Sequence, residues 1–99
     1  MIIKSNEIQD ITWEGLTIKD YTSEKATQSS FAKIEISQGE SHNISWSKVS
    51  EKLYYVLSGE LYFMINNEEH IAKKGDLCII PVNVKFAYKN KTDKPVTVI

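Results

Sequence analysis

The sequence predicts an all-β fold, a sandwich or barrel of about eight to ten short strands, and three features carry that reading. Apolar residues recur with a period of two almost everywhere and almost nowhere with a period of 3.6. The apolar segments are rich in aromatic and β-branched residues, which suit a pleated surface. Glycine, asparagine, proline and lysine-rich breaks separate them every several residues.

Taken in order, Ile8–Trp13 and Leu16–Tyr21 read as two short strands around Gly15. Thr22–Ser29 is polar and reads as a loop. Ser30–Ser37 alternates cleanly, with Phe31, Lys33, Glu35 and Ser37 on one face and Ala32, Ile34 and Ile36 on the other. Lys52–Leu57 and Glu60–Asn66 are the most aromatic strands. The pair Asn66-Asn67 then suits a tight hairpin, because asparagine tolerates positive φ, and a shorter strand follows around His70. Lys73–Asp76 forms another turn before Leu77–Ile80, which Pro81 ends by removing a ladder donor. Val84–Tyr88 and Pro95–Ile99 complete the set. No repeat or low-complexity tract interrupts the 99 residues, which are expected to form one domain with a single modest core.

Composition excludes several classes of function. With 41% hydrophobic and 25% charged residues, disorder is not expected. The net charge is −1 and all twelve basic residues are lysine, so the basic, arginine-bearing stripe of a nucleic-acid binder is missing. No apolar run reaches membrane-spanning length, and the N-terminus lacks the apolar content of a signal peptide, so a cytoplasmic address with no membrane partner is expected. The single cysteine, Cys78, has no partner for an internal disulfide and sits among apolar strand formers, as a small buried hydrophobe would.

The turns follow a regular frame. Gly39 is followed by five residues, then Ser45-Trp46-Ser47, four residues, Lys52, six residues and Gly59. Gly75 is followed by five residues, then Pro81-Val82-Asn83, two residues, Phe86, three residues and Asn90, with fifteen residues between Gly59 and Gly75. This spacing resembles the two motifs of the cupins, specifically their small single-domain, RmlC-like members. The resemblance covers roughly residues 31–99 and implies a double-stranded β-helix, that is, a jelly-roll barrel. It also implies a homodimer paired through the N-terminal strands of residues 1–30. The apolar start Met1-Ile2-Ile3 and an uncovered edge strand give that pairing slender support of their own.

The resemblance stops at the metal. Cupins hold their ion with three histidines and a glutamate, and here Ser45, Ser47, Phe86 and Lys52 align to those four places. Hydroxyls are poor ligands for transition metals, an ammonium repels a cation and a phenyl ring has no lone pair, so no metal and no cofactor are expected. His42 and His70 belong to different elements, and Glu51 neighbours Lys52 and faces the opposite way.

With a period of two, Ser45 and Ser47 share a face, as do Lys52, Tyr54 and Val56, and as do Phe86, Tyr88 and Asn90. The resemblance brings these faces together in the barrel mouth, with Ser45, Ser47, Lys52, Tyr54, Phe86 and Tyr88 as the candidate ligand-binding residues. Three readings stay open. The first is a metal-free pocket for a small polar or anionic molecule of the sugar, carboxylate or phosphate type, with the rings as flat walls and Lys52 as the counter-charge. The second is a metal-independent isomerase, epimerase or lyase in which Lys52, set in an apolar wall, serves as base or Schiff-base nucleophile and a tyrosine as proton donor. The third is a structural barrel whose interior side chains leave no room for a ligand. On the other face of the same strand, Leu53, Tyr55 and Leu57 are expected to pack between the sheets or against a partner.

Overall fold

The computed structural model describes residues 1–13, 15–22 and 30–99. A 3-10 turn, Ser5–Glu7, precedes ten strands: β1 (Ile11–Trp13), β2 (Leu16–Asp20), β3 (Ala32–Ile36), β4 (Ser41–Ser45), β5 (Lys52–Ser58), β6 (Glu60–Ile65), β7 (Glu68–Lys73), β8 (Leu77–Ile80), β9 (Phe86–Lys89) and β10 (Val96–Val98). They form two antiparallel sheets. One has six strands in the order β1-β2-β3-β10-β5-β8 and the other four in the order β4-β9-β6-β7.

The all-β expectation holds, and the alternating segments are strands within a few residues of their anticipated ends. Three differences matter most. The segment Ile8–Trp13 extends only from Ile11, because Ser5–Glu7 turns the chain just before it. The strand around His70 is longer than anticipated, since all six residues of β7 pair with β6 through Glu60↔Lys73 to Ile65↔Glu68. The polar stretch Ser41–Ser45 is itself a strand, held by β9 despite its weak intrinsic preference. The expected loop at 22–29 lies outside the described residues apart from Thr22, whose amide and hydroxyl donate to Asp20 Oδ1 and whose hydroxyl accepts from Phe31 N.

Turn chemistry closes the frame. Asn66 and Asn67 adopt φ 49° and 65°, the doubly positive geometry of a two-residue hairpin whose twist matches its strands. Asn83 has φ 65° and so takes over the left-handed turn that the related motif assigns to glycine. Gly59 is needed outright. At φ 86°, an added Cβ would lie 2.9 Å from Val96 Cγ2 and 3.2 Å from the Pro95 carbonyl oxygen.

The core lies between the two sheets. Leu16, Ile36, Val56, Ile80, Val96 and Val98 reach in from the larger sheet and Leu61, Phe63, Ala72, Phe86 and Tyr88 from the smaller. Apart from β4, whose register shifts between His42 and Ser45, the core strands turn alternate residues inward, as half-buried strands do. Leu53, Tyr55 and Leu57 are not in this core. They stand on the outer face of the larger sheet, because Tyr54 and Val56 take the inward positions of β5. Among the described residues, no helix is long and apolar enough to cross a membrane.

Candidate functional site

The local geometry of β4 decides what reaches the mouth of the sandwich. Strict alternation would send His42 and Ser45 to opposite faces. In the structure His42 pairs with Tyr88 and Ser45 with Phe86, so three steps along β4 match two along β9 and the register shifts between them. A bulge of this kind re-aims a side chain, and both His42 and Ser45 consequently face inward. The His42 ring lies flat against Tyr88, with centroids 5.0 Å apart at 20°, and parallel to Phe86 at 5.8 Å and 3°. The Trp13 ring, on the inner face of edge strand β1, meets His42 edge-on at 6.0 Å and remains 53% exposed. His42 Nδ1 is buried and finds no hydrogen-bond partner among the described residues.

Behind this histidine the interior is aromatic and closed. Tyr54 packs against Phe63, Phe86 and Tyr88 at 5.6–5.9 Å, and Phe86 and Tyr88 are only 3% and 2% exposed. These two residues therefore form the floor of the mouth, on which other groups sit. Burial, with a smaller contribution from Cys78, pushes the Tyr54 phenol up to about 12, and burial, followed by the charge of Tyr54, raises Tyr88 further still. Both phenols thus stay protonated through the neutral range and can donate a hydrogen bond but not exchange a proton readily.

The remaining candidates sit around the rim. Lys52 pairs with Ile80 and so starts on the inner face, but its side chain is exposed. The apolar wall that would turn it into a base or a Schiff-base nucleophile is not there. Ser47 lies just beyond β4, where its hydroxyl accepts from Ser50 N at 3.2 Å and its carbonyl accepts from Asn83 N at 2.7 Å. It ties the loops of the two motifs together. Ser45 is half-buried and pairs with Phe86. Trp46 is 48% exposed, with Lys85 Nζ 5.8 Å from its ring centre.

Asn90, at the end of the second motif, is fully buried. Its Nδ2 donates to the carbonyls of Ile36 (3.0 Å) and Lys94 (2.6 Å), and its Oδ1 accepts from the Thr92 amide (2.9 Å) and hydroxyl (2.6 Å). It belongs to the scaffold that holds β9 against β3 and β10.

The donor set at the mouth does not fit a transition metal. Two hydroxyls, an amine and a phenyl occupy the four places that the related motif gives to ligands, and His42 adds a single imidazole. His70 is remote, on the edge strand β7, with its Nε2 3.7 Å from Glu68. No group of three histidine, cysteine, aspartate or glutamate side chains gathers anywhere among the described residues.

Nor does the hollow beside β7 and β8 offer chemistry. It is a cleft of about 480 Å³ between the edges of β7 and β8, lined by Phe63, Ile65, His70, Ala72 and Cys78 among others. Its walls are mixed, polar and apolar in about equal measure, Asp76 at its edge is engaged with the Lys73 amide (2.8 Å), and burial holds the Cys78 thiol at about 11, far from a reactive thiolate.

The structure gathers Tyr54, Phe86 and Tyr88 in one aromatic cluster with Ser45 paired to Phe86 beside it, leaves Ser47 and Lys52 at the rim, and adds His42 and Trp13, which the sequence reading did not include. An unpaired imidazole in a polar strand was the available signal for His42. Its inward aim depends on the bulge against β9.

Comparison with known proteins agrees with this geometry. The family described as Cupin domain matches residues 32–99. Among solved structures, a predicted oxalate decarboxylase from Thermotoga maritima superposes with a TM-score of 0.89 at 20% identity, covering 99% of this chain and 94% of that one. KdgF from Halomonas gives 0.82 at 15% identity, covering 99% and 89%. The CENP-C cupin domain of Drosophila melanogaster gives 0.83 at 16% identity, covering 98% and 76%. No curated protein sequence matches the chain.

Proposed function

From the premise that the chain belongs to the cupin domain family, we propose that it is a metal-free binding module. Its ligand is a small polar or anionic molecule with a flat or ring-shaped body, a sugar, sugar acid or carboxylate. The observation that carries this reading is the orphaned Nδ1 of His42, buried in an aromatic setting at the mouth. A buried polar atom without a partner costs roughly 1–3 kcal/mol. A folded chain keeps such an atom where something outside the chain satisfies it. A ligand hydroxyl or carboxyl at Nδ1 would do so, while Trp13 offers it a flat exposed wall. Ser45 lies on the same inward face and supplies a second hydrogen bond, and Lys52 at the rim attracts an anion without having to be buried. A binding role is favoured over a catalytic one by the phenols, which burial holds protonated, and by Lys52, which is exposed. Oxalate decarboxylase, the name borne by one structural relative, denotes action on a small dicarboxylate, which falls within the ligand class proposed here.

His42→Phe is the decisive substitution. It keeps the ring stack on Tyr88 and Phe86 and removes the orphaned nitrogen, so the apo protein gains about 1 kcal/mol of stability. Ligand-observed NMR against a library of sugars, sugar acids and small carboxylates should find binders of the natural chain that the variant loses. A library without a single binder, or binders that His42→Phe retains at full affinity, would refute the reading.

A further inference from the structure

The outer face of the smaller sheet carries a trough that has no part in the mouth. Tyr62 and Met64 on β6, and Ala87 and Lys89 on β9, alternate with the core residues Leu61, Phe63, Phe86 and Tyr88, so their side chains stand away from the interior. Ala87 is the small residue of this face. Met64 pairs with it on one side, and on the other the bulge in β4 turns Ile44 outward, 68% exposed. A methyl group between two large side chains leaves a depression. Because β9 lies between β4 and β6, the depression runs along β9.

Two hollows join there. The larger, about 270 Å³, has Ser41, Tyr62 and Lys89 in its wall, and the smaller, about 80 Å³, has Asn66, Asn67 and Lys85. Ile44, Met64 and Ala87 line both. The middle of the trough is therefore apolar, and each end has a lysine. The Asn66 amide donates to the Lys85 carbonyl (2.9 Å), which carries the pairing one residue beyond β9. Lys85 and Lys89 consequently share a face, with their Cα atoms about 13 Å apart. Lys91 adds a third ammonium, with Nζ 3.5 Å from the centre of the Tyr62 ring. Among the described residues, none of these three lysines is in an ion pair. Glu69, which pairs with Met64 from β7, is turned to Tyr62, and its carboxylate accepts from the phenol hydroxyl.

We propose that this trough binds a linear dicarboxylate, an unbranched diacid lying along β9 with its methylene chain over Ala87. One carboxylate meets Lys85 and the other meets Lys89 and Lys91. A site positive at both ends and apolar between them complements a molecule negative at both ends and apolar between them. A diacid of about six to eight carbons sets its carboxyl carbons roughly 6–9 Å apart, and an ammonium–carboxylate contact at each end makes up the rest of the span. Exposed ion pairs are individually weak, so selection comes from two ends and a middle engaged together. A monoacid leaves one lysine unanswered, and a sugar acid would press hydroxyls against Ile44 and Met64 without hydrogen-bond partners. The site is separate from the mouth, because Ala87 and Tyr88 are neighbours in β9 and face opposite sides of the sheet.

Titration of the full-length, isotope-labelled chain with suberate, the eight-carbon diacid, at low ionic strength tests this by amide NMR shifts. Saturable shifts should centre on Ile44, Met64 and Ala87 with a Kd below about 1 mM, and should weaken as salt is added. Octanoate and succinate, which lack one charged end or the long middle, should bind about tenfold more weakly or worse. Ala87→Leu fills the trough and should weaken suberate at least tenfold with an unchanged circular dichroism spectrum. Lys85→Gln or Lys89→Gln should each cost about three- to tenfold and bring suberate close to octanoate. His42→Phe, which alters only the mouth, should leave suberate binding intact. The proposal is overturned by no saturable shift up to about 10 mM suberate, by octanoate binding as tightly, or by full affinity in Ala87→Leu. Suberate binding that His42→Phe abolishes belongs to the mouth and overturns it too, while leaving the reading of the mouth in place.

Discussion

Asn90 offers the sharpest test of how the scaffold is held. Replacing it by alanine removes four hydrogen bonds, two donated by Nδ2 and two accepted by Oδ1. The effects are unequal. The Ile36 carbonyl lies in the core and would be left without a partner, at roughly 1–3 kcal/mol. The Lys94 carbonyl and the Thr92 amide are nearer solvent and can turn to water, so each adds only about 0.5 kcal/mol. The expected total is about 2–4 kcal/mol, which in a domain of this size lowers Tm by roughly 10–25 °C.

Asn90→Asp sharpens the reasoning further, since it keeps the shape and the acceptor but turns both donor contacts into oxygen facing oxygen. Burial raises the folded-state pKa of that carboxyl above its unfolded value. The folded variant therefore binds its proton more tightly than the unfolded chain does, and its stability rises as pH falls through the folded pKa toward the unfolded one. Urea unfolding followed by tryptophan fluorescence, at pH 7 and again near pH 4.5, should show a large deficit that narrows on acidification. An Asn90→Ala cost below about 1 kcal/mol, or an Asn90→Asp deficit that ignores pH, would refute the account.

Three further outcomes follow from the same geometry. Gly59→Ala should cost about 2 kcal/mol by chemical denaturation, because alanine is strained at φ 86° and its Cβ meets Val96 and the Pro95 carbonyl; a neutral result would mean the turn relaxes freely. With Tyr54 pushed up to about 12 and Tyr88 raised in the same direction, their stabilising contribution is complete below pH 10 and is lost as pH climbs through the folded values. Tyrosinate absorbance should therefore lag that of free tyrosine and then rise together with unfolding, and Tyr54→Phe should blunt that alkaline transition. Finally, the combination Ser45→His, Ser47→His, Lys52→Glu and Phe86→His places three imidazoles and a carboxylate in the frame that the related motif uses. Elemental analysis should find about one zinc or manganese per chain, and none taken up after only two of the four changes.

How much of this was legible beforehand depends on the element. The alternation in AKIEI made Lys33 and Glu35 outward and Ile36 core, and β3 is built that way. The paired asparagines specified their own hairpin, since few other residues accept two successive positive φ values. The spacing of Gly39, Gly59, Gly75, Pro81 and Asn90 pointed to the jelly roll through its resemblance to the cupin motifs, and Gly39, Gly59 and Gly75 answer to a local need for positive φ, whereas Asn90 reaches the distant Ile36 carbonyl. Local chemistry of that kind is written in the chain itself.

The interior is another matter. In KLYYVL two tyrosines adjoin, and alternation alone cannot say which is core and which is surface; the resemblance to the cupin frame is what assigned Tyr54 to the interior. The pairing of β5 with β8 and β10 turns Tyr54 into the aromatic cluster and leaves Tyr55, with its leucine neighbours, on an open outer face. His42 is the clearest case. Its sequence neighbours place it in a polar strand, and only the slipped register against β9 swings its ring onto Tyr88 and leaves its nitrogen unpaired. Residue types and spacing determine strands and turns because these are satisfied within a few positions of the chain. Which side chain meets which across the sheets depends on partners forty or fifty residues away, and that only the assembled barrel decides.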